Sequence, residues 1–356
     1  MQKITQRIVN PATWVASTQT PQIVLPTTGI ITEVRVRANM TATLTAAAVA
    51  DATRRAIDGL IISGTKNFFN LSGNINLGTL LALLNLADHG VSGLGANTDV
   101  GATSFNQSYT YHPGSFPKTV RWDTSVVIPA KKLVGQLSAV INAPAAAVTD
   151  AAGNITAGSY YVEVDMINDL PIMPSMKVPA AAIQVLHPAS NNASFPGSIN
   201  VSVPVGYWLR RIVIMCLDQT AVVPVRSDAY ITGVQLTKPN LGVTVVETNW
   251  EDLKYSTARR YSILGDIEDG VLGAIATTRP GYNGSMHLPA GFGIIDCRDL
   301  VDTTVNPLGA VYGMDLRGAP TGLYQLNIAN QAFNVGQSFI ILWDMIADMD
   351  ANFIGS

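Results

Sequence analysis

The side chains of this sequence that could bind a metal ion or transfer protons are few and far apart. The 356 residues include four histidines, His89, His112, His187 and His287, and no two of them are two positions apart. The metal site of a two-barrel cupin enzyme needs several imidazoles, which a His-x-His stretch and a later histidine bring together. The spacing therefore argues against a metal cupin. We expect His112 and His287, which precede two Pro-x-x-Phe motifs, to be turn or interface residues.

Two stretches approach a ligand-binding loop without completing its pattern. GLIISGTK, residues 59–66, lacks the Gly-Lys-Ser/Thr of a phosphate-binding loop because Thr65 separates the glycine from the lysine, so we predict a buried strand that ends in a turn. DMDANFIG, which begins at Asp348, has carboxylates at the first and third places of a calcium loop. Its glycine stands at the eighth place and no bidentate glutamate follows. We expect a solvated tail, with a weak ion site as the alternative.

No arrangement of residues typical of a hydrolase is present either. The sequence contains no Gly-x-Ser-x-Gly turn, and Asp88-His89 has no placed nucleophile. We therefore predict no catalytic residue, no cofactor-binding residue, no metal ligand and no cofactor.

The composition is poor in charge. Apolar residues make up 47% of the chain and charged residues 13%, against about 25% in a typical soluble protein. A surface with so few charges suits a protein whose surface is largely covered by partners, and the alternative is a sheet protein solvated by Thr, Asn and Ser. The net charge of −3 gives no electrostatic basis for binding nucleic acid directly.

The cysteine content and the hydropathy pattern suggest where the protein is made. Cys216 and Cys297 are too few for a disulfide scaffold, and Cys216 lies in the apolar run RIVIMCLD, where we expect a reduced, buried thiol. Neither a signal peptide nor a run of 18 apolar residues occurs. We therefore expect a protein that stays soluble in the cytoplasm until it assembles. The first twenty residues contain Lys3, Arg7 and no acid, which is a weak signal for an anionic membrane surface, and we expect a flexible terminus there.

Short runs of Val, Ile, Thr and Tyr, separated by Gly, Pro and Asn, predict about eight strands in each half of the chain. The alternation of Val34, Arg35, Val36 and Arg37 indicates a strand with one wet face. Helices are predicted in only two places, at residues 77–88 and from Thr248, which has capping-box spacing to Glu251. This pattern favours a sandwich or a closed barrel in each half.

The second half of the chain repeats the first. SYYVEVDMI at residues 159–167 returns as SFIILWDMI at 338–346, 179 positions later. Further pairs keep nearly the same offset: Pro113, Phe116 and Asp123 with Pro289, Phe292 and Asp299; Gly59 with Gly233; and Leu77 with Trp250 at the two predicted helices. Two tandem copies of one domain explain this order, and coincidence in a biased composition is the alternative. We predict an N-terminal arm (1–20), a first domain (21–174), a proline-rich linker (175–197), a second domain (198–348) and a C-terminal tail (349–356).

Short segments of the sequence resemble those of a known family. The stretch PTTGIITEVRVRANMTATLT, from Pro26, and LPAGFGIIDCRDL, residues 288–300 with Asp296, Arg298 and Asp299, are similar to two segments of the double jelly-roll major capsid proteins of tectivirus-like, membrane-containing icosahedral bacteriophages. LYQLNIANQAFNVGQSFIILWDMI occupies the place of the closing strands of that family. The likeness covers most of the chain in layout and only short patches in identity.

The resemblance implies an all-β fold of two tandem eight-stranded jelly-roll barrels with one short helix per barrel. It implies a non-enzymatic coat protein whose pseudo-hexagonal homotrimers tile an icosahedral shell around an internal lipid membrane. The implied partners are neighbouring capsid trimers, vertex (penton) and minor capsid proteins and the internal viral membrane, and the implied location is the virion, after synthesis in the host cytoplasm. The stretch from His89 to Tyr109 is the first candidate for an exposed or neighbour-contacting loop. A trimeric spike or fibre that binds a receptor or carbohydrate is the alternative function, and a two-barrel hydrolase or lyase is a third.

Overall fold

The computed structural model describes two β-rich units. Among the described residues, the first unit comprises residues 3–179 and 348–349, and the second comprises 180–261 and 290–347. The described residues are 3–8, 10–44, 56–64, 67–71, 76–89, 101–114, 124–133, 135–146, 154–173, 175–186, 197–218, 225–261, 290–301, 304, 308–330 and 337–349.

The described residues of the first unit form two antiparallel sheets and one α-helix. Its elements are β1 (Lys3–Arg7), β2 (Ala12–Thr13), β3 (Ile23–Val24), β4 (Ile30–Leu44), β5 (Gly59–Ser63), β6 (Asn67–Leu71), α1 (Leu77–His89), β7 (Gly101–Tyr111), β8 (Ser138–Asn142), β9 (Asn154–Ile167) and β10 (Lys177–Pro179). One sheet has the order β1-β9-β4-β7, with β2 also paired to β9, and the other has the order β3-β8-β5-β6. Residues 130–132 form a short 3-10 helix.

The second unit repeats this arrangement. Its elements are β11 (Ala181–Leu186), β12 (Ser198–Ser202), β13 (Trp208–Asp218), β14 (Val225–Arg226), β15 (Ile231–Lys238), a 3-10 turn (Pro239–Leu241), β16 (Val243–Asn249), α2 (Trp250–Tyr261), β17 (Phe292–Asp296), α3 (Gly309–Tyr312), β18 (Met314–Asp315), β19 (Gln325–Asn330) and β20 (Gln337–Asp348). One sheet has the order β11-β20-β13-β17, and the other has the order β12-β19-β15-β16. The short strands β14 and β18 also pair with β13.

Strand order identifies the fold of both units. When the two-residue strand β2, the short strand β10 and the short additions β14 and β18 are set aside, each unit has eight strands. Each places its first, eighth, third and sixth strands in one sheet and its second, seventh, fourth and fifth in the other. This order is that of an eight-stranded jelly roll. The predicted fold class is therefore confirmed.

The repeat inferred from the sequence has a structural counterpart in most of its pairs. The two nine-residue phrases lie in the eighth strands, β9 and β20, and Gly59 and Gly233 lie in the fourth strands, β5 and β15. The two helices begin at Leu77 and Trp250, between the fifth and sixth strands of their units.

One pair of motifs is not equivalent. Pro113 follows the sixth strand of the first unit, whereas Phe292 begins the sixth strand of the second unit. The pairing of the two Pro-x-x-Phe motifs is therefore wrong, because a pattern of three identities can recur at different places in two turn-rich halves. Phe116, Asp123 and Pro289 lie outside the described residues.

Burial follows the sequence pattern. In β4, Val34 and Val36 are buried, while Arg35 is partly exposed and Arg37 is exposed, so the predicted wet face is confirmed. Helix α1 is mostly apolar, and every leucine in it whose burial is described is buried: Leu77, Leu80, Leu81, Leu83 and Leu84. In the second unit, the core lies between the two sheets and includes residues of β13 and β20 on one side, β15 and β19 on the other, and Trp250 and Leu253 of α2.

The structure contains strands where the sequence predicted an arm and a linker. Lys3–Arg7 lies in the predicted arm and pairs with β9, and β10 and β11 both lie in the predicted linker of residues 175–197. Apolar runs of three to six residues bounded by prolines and glycines are short enough to be taken for linker. Of the predicted tail, the structure describes Met349 alone, so the domain boundaries stay a prediction. No helix in the described part of the chain is long and apolar enough to cross a membrane.

Candidate functional site

His112 is the one histidine whose side chain the structure describes. His112 follows β7, and its Nδ1 lies 3.6 Å from Oε2 of Glu33 on β4, so it is a turn residue beside a carboxylate. His89 ends α1, and His187 and His287 lie outside the described residues. Among the described residues, no group of three or more His, Cys, Asp and Glu side chains is placed to hold a metal ion.

The structure explains the incomplete phosphate-loop and calcium-loop patterns. Gly59–Ser63 is a strand, as predicted, and a Cβ on Gly59 would lie 2.6 Å from the Asn142 side chain and 2.8 Å from the carbonyl oxygen of Leu71. This glycine is thus required by close packing between strands. The carboxylate of Asp348 accepts a hydrogen bond from the Lys177 ammonium and is engaged in an ion pair. Lys66 and the residues after Met349 lie outside the described residues.

Part of the predicted exposed loop is a strand. Residues 101–111 form β7, which pairs with β4 along its whole length, and Tyr109 is 1% exposed. The prediction of a loop from His89 to Tyr109 is therefore wrong for this part. The segment GATSFNQSYTY consists mainly of small and polar residues and contains no Val or Ile, so its sequence gives only a weak signal for a strand. Residues 90–100 lie outside the described residues.

The Asp-x-Arg-Asp segment of the second unit forms a buried charge network. The carboxylate of Asp296 accepts hydrogen bonds from Arg298 Nε (2.8 Å), from the Arg298 backbone N–H (3.0 Å) and from the Tyr261 hydroxyl (2.8 Å). Burial alone would raise the pKa of Asp296, but the hydrogen bonds and charge of Arg298 lower it to about 2. Arg260 Nη2 pairs with Asp299 at 2.9 Å. The network ties the end of β17 to the last turn of α2.

A second network uses a β-bulge. The register between β13 and β20 shifts between Leu209 and Arg211, which leaves Arg210 as an extra residue. A bulge lets two successive side chains reach the same partner. Arg210 Nη2 and Arg211 Nε donate to the two oxygens of Asp344 at 2.6 and 2.7 Å. All three side chains are buried, and although burial opposes ionisation, the two arginines lower the pKa of Asp344.

A third cluster fixes the start of α2. The carboxylate of Asp228 accepts hydrogen bonds from Trp250 Nε1 (2.6 Å), Lys254 Nζ (2.8 Å) and the backbone N–H of Gly291 (2.8 Å). One side chain thereby joins the segment before β15, the first turns of α2 and the segment before β17. Sequence reasoning did not single out Asp228, since no motif links its three partners.

These clusters cross-link structural elements. Their carboxylates are occupied by arginine, lysine, tyrosine or tryptophan donors. Both cysteines are free and fully buried, as predicted for Cys216, and burial raises the pKa of each thiol. What this arrangement can do chemically is hold sheets and helices in place.

Two sheet edges and an apolar turn are among the exposed features of the described residues. Among the described residues, β1 pairs with β9 alone and β16 pairs with β15 alone, so each forms the edge of its sheet. Leu241, in the turn before β16, and Val243, its first residue, are 66% and 47% exposed. Sequence reasoning did not identify these edges because edge position depends on pairings between distant segments.

Comparison with known proteins depends on structure alone. No protein-family model matches the sequence, and no curated protein matches it. Among solved structures, the crystal structure of the STIV MCP aligns over 100% of both chains with a TM-score of 0.68 and 14% identity, and an atomic structure of Sulfolobus Turreted Icosahedral Virus gives the same TM-score and identity. The major capsid protein P2 from Bacteriophage PM2 aligns over 99% of this chain and 100% of its own, with a TM-score of 0.53 and 12% identity.

This chain has the double jelly-roll capsid-protein fold. A quasi-atomic model of the PBCV-1 virus capsid aligns over 97% of this chain and 93% of its own, with a TM-score of 0.56 and 6% identity. Identities of this size show the fold alone. In the double jelly roll, the repeat detected in the sequence corresponds to the two barrels, and the helices that begin at Leu77 and Trp250 occupy the same place in each barrel.

Proposed function

We propose that this chain is the major capsid protein of an icosahedral virus, a structural and non-enzymatic component of the virion. The observation that carries the proposal is the match over the whole chain to capsid proteins of three viruses, all with two barrels in one chain. A match over one barrel would fit many functions, since a single jelly roll occurs in lectins, enzymes and coats alike.

The finer proposal is a pseudo-hexagonal homotrimer. Three chains with two similar barrels each present six similar walls around a threefold axis, and a hexagonal outline can tile a closed surface. The contacts within such a ring are heterologous and close at three. Obligate contacts commonly bury more than about 2,000 Å² of mainly apolar surface, which suits a chain with 13% charged residues.

The remaining partners follow from the resemblance to tectivirus-like bacteriophage coats. They are neighbouring trimers, vertex (penton) and minor capsid proteins, and an internal lipid membrane, with no direct contact to nucleic acid. One of the matched structures is the major capsid protein P2 from Bacteriophage PM2.

Light scattering on the purified protein tests the proposal. A trimer of three times the chain mass of 37.8 kDa is expected at micromolar concentration. A protein that stays monomeric at that concentration, under all conditions in which it remains folded, would contradict the homotrimer. A stable trimer that binds glycans and forms no hexagonal arrays would favour a spike or fibre.

A further inference from the structure

Two of the sheet edges in the described part of the chain, β1 and β16, differ in charge. Strand β1, at the edge of the first unit, carries Lys3 and Arg7 and no acid, and Thr5, Gln6 and Arg7 are exposed. Strand β16, at the edge of the second unit, has Glu247 as its one charged residue, and the first turn of α2 adds Glu251 and Asp252. These three acidic residues are exposed.

Local ion pairs leave the acidic edge with a negative surplus. Lys254 is the cation on the first turns of α2, and it is shared between Asp228 at 2.8 Å and Glu251 at 3.0 Å. Glu247 accepts a hydrogen bond from the neutral amide of Gln235 at 2.8 Å. The edge of β16 therefore stays acidic, whereas the edge of β1 is basic.

Unpaired edges of this kind are templates for another strand. An exposed edge strand presents a row of backbone donors and acceptors, and proteins usually protect it with lysine, proline or a very short strand. Strand β16 is seven residues long, has neither lysine nor proline, and contains three valines and two threonines. Together with the preceding turn it contributes eight consecutive uncharged residues, 239–246, most of them exposed.

We propose that β16 of one copy of this chain docks along β1 of a second copy. The occupant is a second copy because an edge of complementary charge, β1, lies on this same chain and pairs on one side only among the described residues. The contact joins the second unit of one copy to the first unit of the next, so it is heterologous and can close into a ring. This inference rests on the proposed assembly of the chain into trimers and names the strands that meet.

Chemical cross-linking tests the contact. Gln6→Cys on β1 is combined with Thr244→Cys or with Thr248→Cys on β16, which allows for either strand register. Cys216 and Cys297 are 0% exposed, so they do not compete for the reagent. With a short bismaleimide, at least one of the two pairs should form covalent multimers, and neither single variant should. Gln6→Cys with Val311→Cys is the matched control, since Val311 is 50% exposed on the second unit and lies away from the edge.

Neutralising the acidic edge is the second test. Glu247→Gln together with Glu251→Gln should weaken trimer association about tenfold, since two surface ion pairs are lost, and added salt should reduce the difference. Arg259→Gln, an exposed change at the opposite end of α2, should leave association unchanged. Far-UV circular dichroism checks that each variant is folded.

The outcomes separate the contact from the proposed function. A wild-type trimer in which neither pair gives multimers, or in which the control pair gives as many, overturns the contact and leaves the trimer standing. A wild-type protein that is monomeric overturns the trimer itself. Multimers from the edge pairs, with weaker association of the neutralised variant, support both.

Discussion

The hydrogen bonds and charges around Asp296 explain its strongly perturbed pKa. Asp296 has a carboxylate with 5% exposure, an arginine two residues later and a tyrosine hydroxyl, a combination that also occurs in active sites. Here the partners fill its hydrogen-bonding capacity: Arg298 lies in the turn after β17, and Tyr261 is the last residue of α2. Asp344 is likewise a buried carboxylate whose partners are structural, since it accepts hydrogen bonds from two arginines.

Acid should weaken the second unit through Asp296. Its pKa is about 2 in the folded protein against 3.8 for the ordinary carboxyl, so the ionised group stabilises the fold above about pH 4 and this contribution is lost as the pH falls toward 2. The shift corresponds to about 2 kcal/mol. Asp296→Asn should lower the free energy of unfolding by about this amount at pH 7. The free energy of unfolding of this variant should also vary less with pH between pH 4 and 2, and urea denaturation measures both effects.

Asp315→Asn is the control for this prediction. Asp315 pairs with Arg317 at 2.6 Å, but both side chains are more than 30% exposed, so its loss should cost less than about 1 kcal/mol. Equal effects of the two substitutions would contradict the assignment of the pKa shift to the buried network.

At the scale of elements, the start of α2 shows what the sequence could and could not locate. The helix was predicted from Thr248 with a capping box to Glu251. The structure places the cap one residue later, where Asn249 Oδ1 accepts the backbone N–H of Asp252 at 2.8 Å. Both pairs have suitable residue types at suitable spacing, and β16 decides between them because it continues through Asn249.

Alanine substitutions distinguish the two caps. Asn249→Ala should lower stability by about 1 kcal/mol, since it leaves an N–H of the first turn without its acceptor. Thr248→Ala should change stability by less than about 0.5 kcal/mol. Thermal unfolding of the two variants measures the difference, and a larger loss from Thr248→Ala would restore the predicted capping box.

The connection from α3 to β18 depends on one glycine. Gly313 has φ of 80°, and a Cβ there would collide with the carbonyl oxygen of Leu209 on β13. Gly313→Ala should therefore cost about 2 kcal/mol or more, because both the backbone conformation and the contact oppose a side chain. Gly318→Ala, where the space around a Cβ is open, should be close to neutral in the same denaturation experiment. A neutral Gly313→Ala would show that β18 can move away from β13.

Other elements show why sequence patterns identified some strands and missed others. The alternation in β4 and the apolar phrases in β9 and β20 are long enough to stand out, and all three lie at the centre of their sheets. Strands β1, β6 and β11 have five or six residues and weak alternation, and they were assigned to an arm, left out or placed in a linker. Short strands are stabilised by their neighbours rather than by their own sequence, so their signal is faint.

At the scale of the whole molecule, the duplication was the most informative property of the sequence. It predicted two copies of one fold before any strand pairing was known, and the identical strand order of the two units confirms that fold. The candidate interface was beyond sequence reasoning. Strand β1 is an edge because it pairs with β9 alone, and that pairing joins segments more than 150 residues apart. Strand β16 is an edge because it pairs with β15 alone.

Electron microscopy of the purified, negatively stained protein is the most direct test of the central claim, that two jelly rolls in one chain form a threefold building block with a hexagonal outline. Particles of uniform size with hexagonal outlines are expected. Elongated shafts, or single two-barrel particles at concentrations where the protein is folded, would contradict it.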